Sequence, residues 1–420
     1  MAQAVCDRKK TARADGFLAR GAQPPQYVGV TKQFRPSDLA TLVVHAGEER
    51  DGGGLVPPIH RSSTYELGEP ETFDDIRYIR LNNTPTQKAV ERKLGALEEG
   101  TALVTPSGTA AVWLAIAASV GPGDRILAPV RVYGGTRKIL DHLAEREGVE
   151  VRYVDLEKPD TWAEALSETT RAFYMESIAN PWMSVPPLDQ VVAFCREHGL
   201  VSLVDNTLAT PALFRPRPFG IDISIHSASK HLNGHTDVVL GAVIADAERG
   251  LAIRKLANKL GVCPDPEPCF LLNRGMKTLP LRVSAQCAGA LALAQALDAH
   301  ADVETVHYAG LEADPSHGRA AAWFGGFGTM LSFVPSGGKE RAQALIRALR
   351  YPVEAPSLGG VETLICRPAT TSHAGLPAEL REEMGVPDAM IRVSVGVERP
   401  EDLIADFEQA LKASASMSAA

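Results

Sequence analysis

The sequence predicts an α/β protein with a mostly parallel central sheet and a smaller α+β domain toward its C-terminal end. Short apolar runs alternate with segments of helical spacing, which is typical of buried parallel strands covered by helices on both faces. This alternation stops after about Leu281, where a long Ala/Leu segment precedes isolated strand-like runs. The chain has 420 residues, 45% of them hydrophobic, which is enough for two or three domains with real cores.

Seven apolar runs in the first part of the chain have the length and composition of strands. We predict these strands at Ala102–Thr105, Arg125–Ala128, Val151–Val154, Ala172–Met175, Val201–Val204, Ile221–Ile225 and Val238–Ala245. Other segments carry apolar residues at helical spacing. We predict these helices at Gln87–Glu98, Ala110–Ser119 and Asp189–His198.

The last part of the chain has a different order of elements. The predicted order is a helix at Ala285–Ala299, strands at Met330–Phe333, Leu364–Cys366 and Ile391–Val395, and a closing helix at Glu401–Lys412. Before Arg80 the chain is irregular and broken by glycine and proline, which indicates an arm rather than a domain. The sequence therefore predicts three parts: an extension and arm at 1–81, a large domain at 82–281 and a small domain at 282–420.

The first 35 residues carry seven Lys and Arg against only Asp7 and Asp15. We interpret this stretch as a loosely ordered tail, and a targeting segment is the alternative. It lacks the charged-then-apolar order of a secretory signal. The longest apolar run, Ala110–Ala118, is far shorter than the roughly 20 residues that a membrane span needs. We expect a cytoplasmic protein that does not bind membranes.

Charge and cysteine content exclude several classes of function. The 43 Lys and Arg against 51 Asp and Glu give a net charge of −8, which argues against nucleic acid as the main partner. Six cysteines are spaced irregularly and form no C-x-x-C pair. A disulfide framework and a structural zinc site are therefore not expected.

Groups suited to binding a charged ligand come at the carboxyl ends of predicted strands, where open α/β sheets bind their ligands. Gly108 lies where a strand gives way to a helix, so its backbone and the helix N-terminus form a seat for an anion. Asp205 follows a buried strand, where a carboxylate needs a backbone turn, a metal or a protonated ring nitrogen as partner. Lys230 follows another strand between Ser227 and Ser229, and an amine in an apolar site can form a Schiff base. A phosphate seat, a carboxylate and a reactive lysine are what pyridoxal 5'-phosphate requires.

Two other chemistries match parts of the same segment. Ser227 and Lys230 fit the S-x-x-K pattern of serine acylases, but the S-D-N and K-T-G elements that accompany it do not follow. His226, His231 and His235 could bind a metal, although a glycine turn interrupts any continuous helix between them. We expect no metal and structural roles for these histidines.

The chain resembles the cysteine/methionine-metabolism (trans-sulfuration) family of pyridoxal-phosphate enzymes over about Thr41 to Leu411. The family includes cystathionine γ-synthase, cystathionine γ- and β-lyases and methionine γ-lyase. The motifs that carry the resemblance are Tyr78-Ile-Arg80, Ser107-Gly-Thr-Ala-Ala, Tyr133-Gly-Gly-Thr, Glu176-Ser-Ile-Ala-Asn180-Pro, Asp205-Asn-Thr-Leu-Ala-Thr-Pro, His226-Ser-Ala-Ser-Lys-His-Leu-Asn-Gly-His-Thr-Asp237, Ser357-Leu-Gly-Gly-Val-Glu-Thr-Leu and Ile391-Arg392-Val-Ser-Val-Gly.

This resemblance implies fold type I of the pyridoxal-phosphate enzymes, which is the aspartate-aminotransferase-like fold, and a homotetramer made of two dimers. It implies that Lys230 carries the cofactor as a Schiff base, that Asp205 keeps the ring nitrogen protonated and that Tyr133 stacks on the ring. Tyr133 would also donate the proton to the leaving group. The large domain at 82–281 would be the cofactor domain.

The resemblance also implies which residues hold the two ends of the ligands. The cofactor phosphate would be held by Gly108, Thr109, Ser227 and Ser229, and by Tyr78 and Arg80 of a neighbouring subunit. That role would make the arm an inter-subunit element. Arg392 would bind the carboxylate of an amino-acid substrate, assisted by Asn180 and Ser357.

Three departures from the family's patterns bear on the substrate. Pro356 stands where members that handle cystathionine often have glutamate, and Arg77 stands where some γ-lyases have an acidic residue. Gly135 replaces the cysteine typical of methionine γ-lyases, which argues against that activity. Whether Arg77 and Pro356 face the cavity is left open by the sequence.

We therefore predict a carbon–sulfur lyase that eliminates the γ-substituent of a sulfur amino acid, as cystathionine γ-lyase does. The alternatives are a γ-synthase that acts on an O-acylhomoserine, a cystathionine β-lyase and a methionine γ-lyase. A non-catalytic relic of the fold is the remote alternative from a different class.

Overall fold

A seven-stranded sheet forms the centre of the larger part of the protein. The computed structural model describes residues 38–48 and 53–415, so the predicted tail at 1–35 lies outside the described residues. The strand order is β1-β7-β6-β5-β4-β2-β3, and β7 alone runs antiparallel to its neighbours β1 and β6. The strands are β1 Thr101–Thr105, β2 Arg125–Pro129, β3 Glu150–Val154, β4 Thr170–Glu176, β5 Val201–Asp205, β6 Ile223–His226 and β7 Gly241–Ala245. The prediction of a mostly parallel central sheet is confirmed.

A second, five-stranded sheet is built from the C-terminal part of the chain. Its order is β10-β11-β12-β9-β8, with one parallel pair, β10 and β11, and antiparallel pairing elsewhere. The strands are β8 Val303–His307, β9 Met330–Pro335, β10 Val353–Glu354, β11 Leu364–Cys366 and β12 Ile391–Ser394. With its helices this sheet makes the predicted α+β unit. The division of the chain at 81 and 281 stays a prediction.

Helices surround both sheets. They are α1 Leu39–His45, α2 Pro85–Glu98, α3 Gly108–Ala117, α4 Gly134–Arg146, α5 Leu188–His198, α6 Thr210–Leu213, α7 Pro216–Phe219, α8 Ala247–Leu260, α9 Pro266–Met276, α10 Leu279–Asp298, α11 His317–Trp323, α12 Gly338–Ala348, α13 Ala378–Glu383 and α14 Pro400–Ala415. Within the described ranges, no helix is both long and apolar enough to cross a membrane.

Polar contacts explain where the observed elements depart from the predicted ones. The helix predicted at Ala285–Ala299 begins earlier, at Leu279. Its first turns contain Arg282, which is buried because its guanidinium donates to carbonyl oxygens of His231 and Gly275. A buried cation interrupts the apolar pattern that predicts a helix. Strand β7 begins at Gly241 because the preceding Leu240 forms hydrogen bonds with Ser229 instead.

The arm is fastened to the large sheet's helices by buried charges. Lys93 of α2 is fully buried, and its Nζ donates to the Val43 carbonyl at 2.7 Å and to Glu48 Oε1 at 2.8 Å. Lys277 donates to the other oxygen of Glu48 at 2.9 Å. Burial lowers the pKa of the Lys93 amine, while Glu48 raises it in part. Because a buried cation needs such partners, these bonds hold the start of the described chain in place.

Trp162 anchors the large core between β4 and α5. The side chain is 1% exposed, lies edge-on to Phe173 and Phe194 with ring centroids 5.4 and 5.6 Å away, and donates from its indole nitrogen to the Asp155 carbonyl. We expect Trp162→Ala to reduce the free energy of unfolding by about 3–5 kcal/mol, because it removes this ring and leaves a cavity. Urea unfolding followed by circular dichroism measures the loss. Tyr351→Ala, at a side chain that is 58% exposed, is the control and should change stability by about 0.5 kcal/mol or less.

Candidate active site

A cavity of about 720 Å³ opens at the carboxyl ends of the parallel strands. Ten of the twelve side chains that the sequence assigned to a site line it: Gly108, Thr109, Tyr133, Asn180, Asp205, Ser227, Ser229, Lys230, Ser357 and Arg392. The large sheet and its helices supply the first eight of these, and the C-terminal part of the chain supplies the last two. The predicted convergence of these ten residues is therefore found in the structure.

The N-terminus of α3 lies at the cavity, where the sequence predicts a seat for an anion. Ser107 caps the helix by accepting from the Ala110 N–H at 3.0 Å, and Gly108 and Thr109 of the first turn line the cavity. A Cβ atom added to Gly108 would lie 2.6 Å from the Cβ of Ser227. Only glycine therefore allows the helix to approach the Ser227 segment this closely. Ser227 is itself fixed because its backbone N–H donates to Thr207 Oγ1 at 2.8 Å.

The two serines beside Lys230 have different contacts. Ser229 lines the cavity, but its hydroxyl donates to the Leu240 carbonyl at 3.1 Å and accepts from the Leu240 N–H at 3.0 Å. These bonds use the hydroxyl to close a loop between β6 and β7. Ser227 contacts the α3 N-terminus directly and is the better placed of the two for an anion.

Asp205 lies at the end of β5 and faces the cavity. Its carboxylate accepts from the Thr207 N–H at 2.9 Å. Burial raises the pKa of the Asp205 carboxyl, and the Thr207 hydrogen bonds and the nearby His226 oppose part of that rise. A carboxylate in this position is stabilised by a cationic partner within the cavity.

Lys230 directs its amine into the cavity. Its Nζ donates to the Ser357 hydroxyl at 2.6 Å. Burial, with a smaller contribution from the positive charge of Arg392, lowers the pKa of the Lys230 amine. A lowered pKa increases the share of neutral amine, which is the nucleophilic form.

Arg392, on β12, is 5% exposed and faces the same space. It donates to the Ser357 carbonyl at 2.8 Å and to the Asn180 side-chain oxygen at 3.4 Å. Its Nε has no hydrogen-bond partner among the described residues. A guanidinium held in this way can still bind a carboxylate.

Tyr133 immediately precedes α4, and its ring lies at the mouth of the cavity with 43% of the residue exposed. A Cβ atom added to Gly135 would lie 2.5 Å from the ring. Gly135 therefore allows the ring to lie against the first turn of α4. Glycine at this position, where methionine γ-lyases typically have cysteine, therefore has a steric consequence for Tyr133.

Two predicted site residues, Tyr78 and Arg80, do not line this cavity. Arg80 donates to the Asn258 carbonyl at 3.1 Å and lies 5.6 Å from the centroid of the Tyr78 ring. Of the two departures whose orientation the sequence left open, Pro356 lines the cavity and Arg77 lies over the Tyr65 ring instead. The role of Tyr78 and Arg80 in a neighbouring subunit stays a prediction.

The histidines weighed as metal ligands have separate partners. His226 contacts Glu98 at 2.6 Å, His231 contacts Thr329 at 2.6 Å, and His235 contacts the Asn233 carbonyl at 2.7 Å. In the part of the chain that the structure describes, no three His, Cys, Asp or Glu residues are grouped as metal ligands.

The sequence reasoning missed two residues of the site. Glu176 ends β4 as Asp205 ends β5 and accepts from the Tyr133 N–H at 2.7 Å. Thr207 links Asp205 to Ser227 through its N–H and hydroxyl. The signal that identified Asp205, a carboxylate at the end of an apolar run, was also present at Glu176.

The donor groups of this cavity fit pyridoxal phosphate. The helix N-terminus with Gly108 suits the phosphate, Asp205 suits a protonated ring nitrogen, and Lys230 suits the aldehyde carbon. These three groups come from three different elements around one cavity. They are therefore separated in space, as are the phosphate, the ring nitrogen and the aldehyde carbon of the cofactor. Fold and site therefore define a pyridoxal-phosphate enzyme of fold type I.

Comparison with known proteins identifies the family. Residues 40–412 match the family model described as Cys/Met metabolism PLP-dependent enzyme. The chain is 39% identical over 384 residues to cystathionine beta-lyase MetC of Bacillus subtilis (strain 168), covering 90% of this chain and 98% of the relative. It is 38% identical over 381 residues to cystathionine gamma-synthase of Escherichia coli (strain K12), covering 89% and 98%.

A solved structure supports the same family. Cystathionine gamma synthase from Xanthomonas oryzae pv. oryzae, in complex with cystathionine, superposes with a TM-score of 0.87 at 37% identity over 91% of this chain and 99% of that one. The chain belongs to the Cys/Met metabolism family of PLP-dependent enzymes. The predicted family, fold class and cofactor are confirmed, and the chain is an enzyme of the carbon–sulfur lyase or γ-synthase type.

We expect Gly108→Ala to weaken pyridoxal-phosphate binding at least about tenfold, because the new methyl group would push α3 away from Ser227. Titration of the apoprotein with the cofactor, followed by visible absorbance, measures the dissociation constant. Gly121→Ala is the matched control, since the nearest atom to its added Cβ is 3.8 Å away. An unchanged dissociation constant in Gly108→Ala would show that the seat does not hold the phosphate.

Proposed function

We propose that this protein eliminates the γ-substituent of a sulfur amino acid, in the manner of a cystathionine γ-lyase. The observation that supports the proposal most is the arrangement of Lys230, Ser357 and Arg392. Ser357 accepts from the Lys230 amine through its hydroxyl and from the Arg392 guanidinium through its carbonyl. An amino acid whose carboxylate binds Arg392 would place its Cα next to the amine of Lys230.

In the proposed reaction the chain's own residues bind, orient and move protons. Arg392 binds the α-carboxylate, and Lys230, freed as a neutral amine when the substrate amine displaces it, removes the Cα proton. A second deprotonation at Cβ, for which Lys230 can serve only after it has given up the first proton, then allows the bond from Cγ to sulfur to break. Tyr133, at the mouth of the cavity, donates a proton to the leaving thiolate. Bound pyridoxal phosphate supplies the electron sink for the electrons released at Cα. Lys230 would hold the cofactor covalently, and Asp205 would keep its ring nitrogen protonated.

A γ-synthase activity on an O-acylhomoserine is the second candidate, and one observation favours it. Eight residues that line the cavity outside the groups already described are uncharged: Thr236, Val238, Val239, Pro356, Leu358, Thr370, Thr371 and Ser372. Such a lining accepts a neutral acyl group, and within the described chain it offers no carboxylate to the distal ammonium of cystathionine. Both reactions share the steps up to loss of the γ-substituent and differ in whether a thiol then adds.

We further propose a cytoplasmic homotetramer made of two dimers, in which Tyr78 and Arg80 complete the neighbour's phosphate site. The position of both residues outside their own cavity supports this proposal. The substrate partner is a small amino acid, and no nucleic acid or membrane is involved in the proposed activity.

A panel of substrates tests the proposed function. The purified holoenzyme is given cystathionine, methionine, and O-acylhomoserine with cysteine, with Lys230→Ala as the inactive control. We expect 2-oxobutyrate from cystathionine. Pyruvate would instead indicate a β-lyase, 2-oxobutyrate from methionine alone a methionine γ-lyase, and cystathionine formation a γ-synthase. No turnover of any of these would contradict the proposed substrate class.

We expect Arg392→Ala to raise KM for whichever of these substrates is turned over by about 10- to 100-fold, because a charged hydrogen-bond pair with the carboxylate is lost. Steady-state kinetics measure the change, and kcat should fall less than KM rises. Arg152→Ala, at an arginine whose side chain is 57% exposed on β3, is the control. Equal KM values for the two variants would contradict the role of Arg392.

A further inference from the structure

Two carboxylates lie side by side at the floor of the cavity, and the proposed reaction uses only one of them. Glu176 ends β4 and Asp205 ends β5, and the two are direct register partners in the parallel pair. Both line the cavity, and Glu176 is 6% exposed. Side chains of register partners point to the same face of a sheet. The two carboxyl groups are therefore neighbours, and any function of Glu176 must be compatible with the charge of Asp205 next to it.

Glu176 contacts the two residues that flank the proposed substrate position. Its Oε1 accepts at 2.7 Å from the N–H of Tyr133, the residue that immediately precedes α4. The Asn180 backbone N–H lowers the pKa of the Glu176 carboxyl and so lies near it, and the Asn180 side chain contacts Arg392. One carboxyl group is thus bonded to the backbone of Tyr133 and lies near the backbone of a residue that contacts the carboxylate-binding arginine.

The surroundings of Glu176 favour its protonated form. Burial and the neighbouring Asp205 raise the pKa of the Glu176 carboxyl to about 8, although the Tyr133 and Asn180 N–H groups lower it in part. Tyr174, on the same strand, is fully buried, and burial and both carboxylates raise the pKa of its phenol. Lys230 and Arg392 are the cations of the cavity, and both are bonded to Ser357.

We propose that Glu176 is a positioning residue that holds Tyr133 and Asn180 in place as a neutral carboxylic acid. Asp205 then carries the single carboxylate charge at the cavity floor, free of repulsion from a second anion beside it. Ionisation of Glu176 in alkaline solution places two like charges on register partners, and their repulsion moves the Glu176 carboxylate away from the position in which it holds Tyr133 and Asn180. The inference rests on the role proposed for Tyr133.

The test compares two substitutions at Glu176 in the holoenzyme. Glu176→Gln keeps an acceptor for the Tyr133 N–H and replaces the acid O–H with an N–H, so it imitates the neutral acid. Glu176→Ala removes both contacts. At pH 7 we expect Glu176→Gln to stay within about threefold of the unaltered enzyme in kcat/KM, and Glu176→Ala to lose about tenfold or more. Equal losses in the two variants would overturn the proposal.

The pH profile separates a positioning role from a merely structural one. We expect the kcat/KM of the unaltered enzyme to fall relative to Glu176→Gln as the pH rises through about 8, because only the unaltered enzyme gains a charge there. Parallel profiles for the two enzymes between about pH 6.5 and pH 9.5 would contradict the proposal.

A third measurement does not depend on turnover or on the folding of Glu176→Ala. Infrared difference spectra of the holoenzyme should show the carbonyl stretch of a protonated carboxyl that disappears with a midpoint near pH 8. Glu176→Gln should lack this transition. Glu98→Gln, which alters a buried carboxyl that contacts His226, is the matched control and should keep it. Because no substrate is present, failure here concerns Glu176 alone and leaves the proposed reaction to the substrate panel.

Discussion

The site depends on one electrostatic constraint, which is that the cations buried in its cavity need hydrogen-bond acceptors. Burying an uncompensated charge is costly, so Lys230 and Arg392 are stable here only with acceptors around them. Ser357 supplies an acceptor to each cation, one from its hydroxyl and one from its carbonyl. Ser357 therefore links Lys230, which follows a strand of the seven-stranded sheet, to Arg392 in the five-stranded sheet. A substrate that binds between them has to replace or add to these hydrogen bonds.

The parallel sheet makes this convergence possible. Because β4, β5 and β6 run in the same direction, their carboxyl ends deliver Glu176, Asp205 and the lysine segment to one edge. The helix that follows β1 points its N-terminus at the same edge, and Gly108 lets it approach. The α3 N-terminus and the Asp205 carboxylate are thereby positioned by the backbone of regular elements rather than by flexible side chains.

The sequence allowed part of this arrangement to be predicted. Asp205 and Lys230 could be found because each follows an apolar run, and Gly108 because a strand gives way to a helix there. Arg392 and Asn180 are 212 residues apart, so no local pattern connects them and only family resemblance suggested their roles. Strand β8 and the first turns of α10 were missed because β8 is only partly buried and Arg282 interrupts the apolar pattern with a buried cation.

The antiparallel direction of β7 in the seven-stranded sheet has a consequence for how Lys230 is held. Because β7 starts at the edge where β6 ends, the loop at 227–240 leaves and re-enters the sheet at neighbouring positions. Ser229 and Leu240, near the two ends of this loop, are hydrogen-bonded to each other. The reactive amine is thus carried on a loop with two fixed ends. The Lys230 N–H donates to the Ser227 carbonyl at 3.1 Å within this loop, so the position of the lysine depends on a local turn as well as on the two strands that anchor the loop.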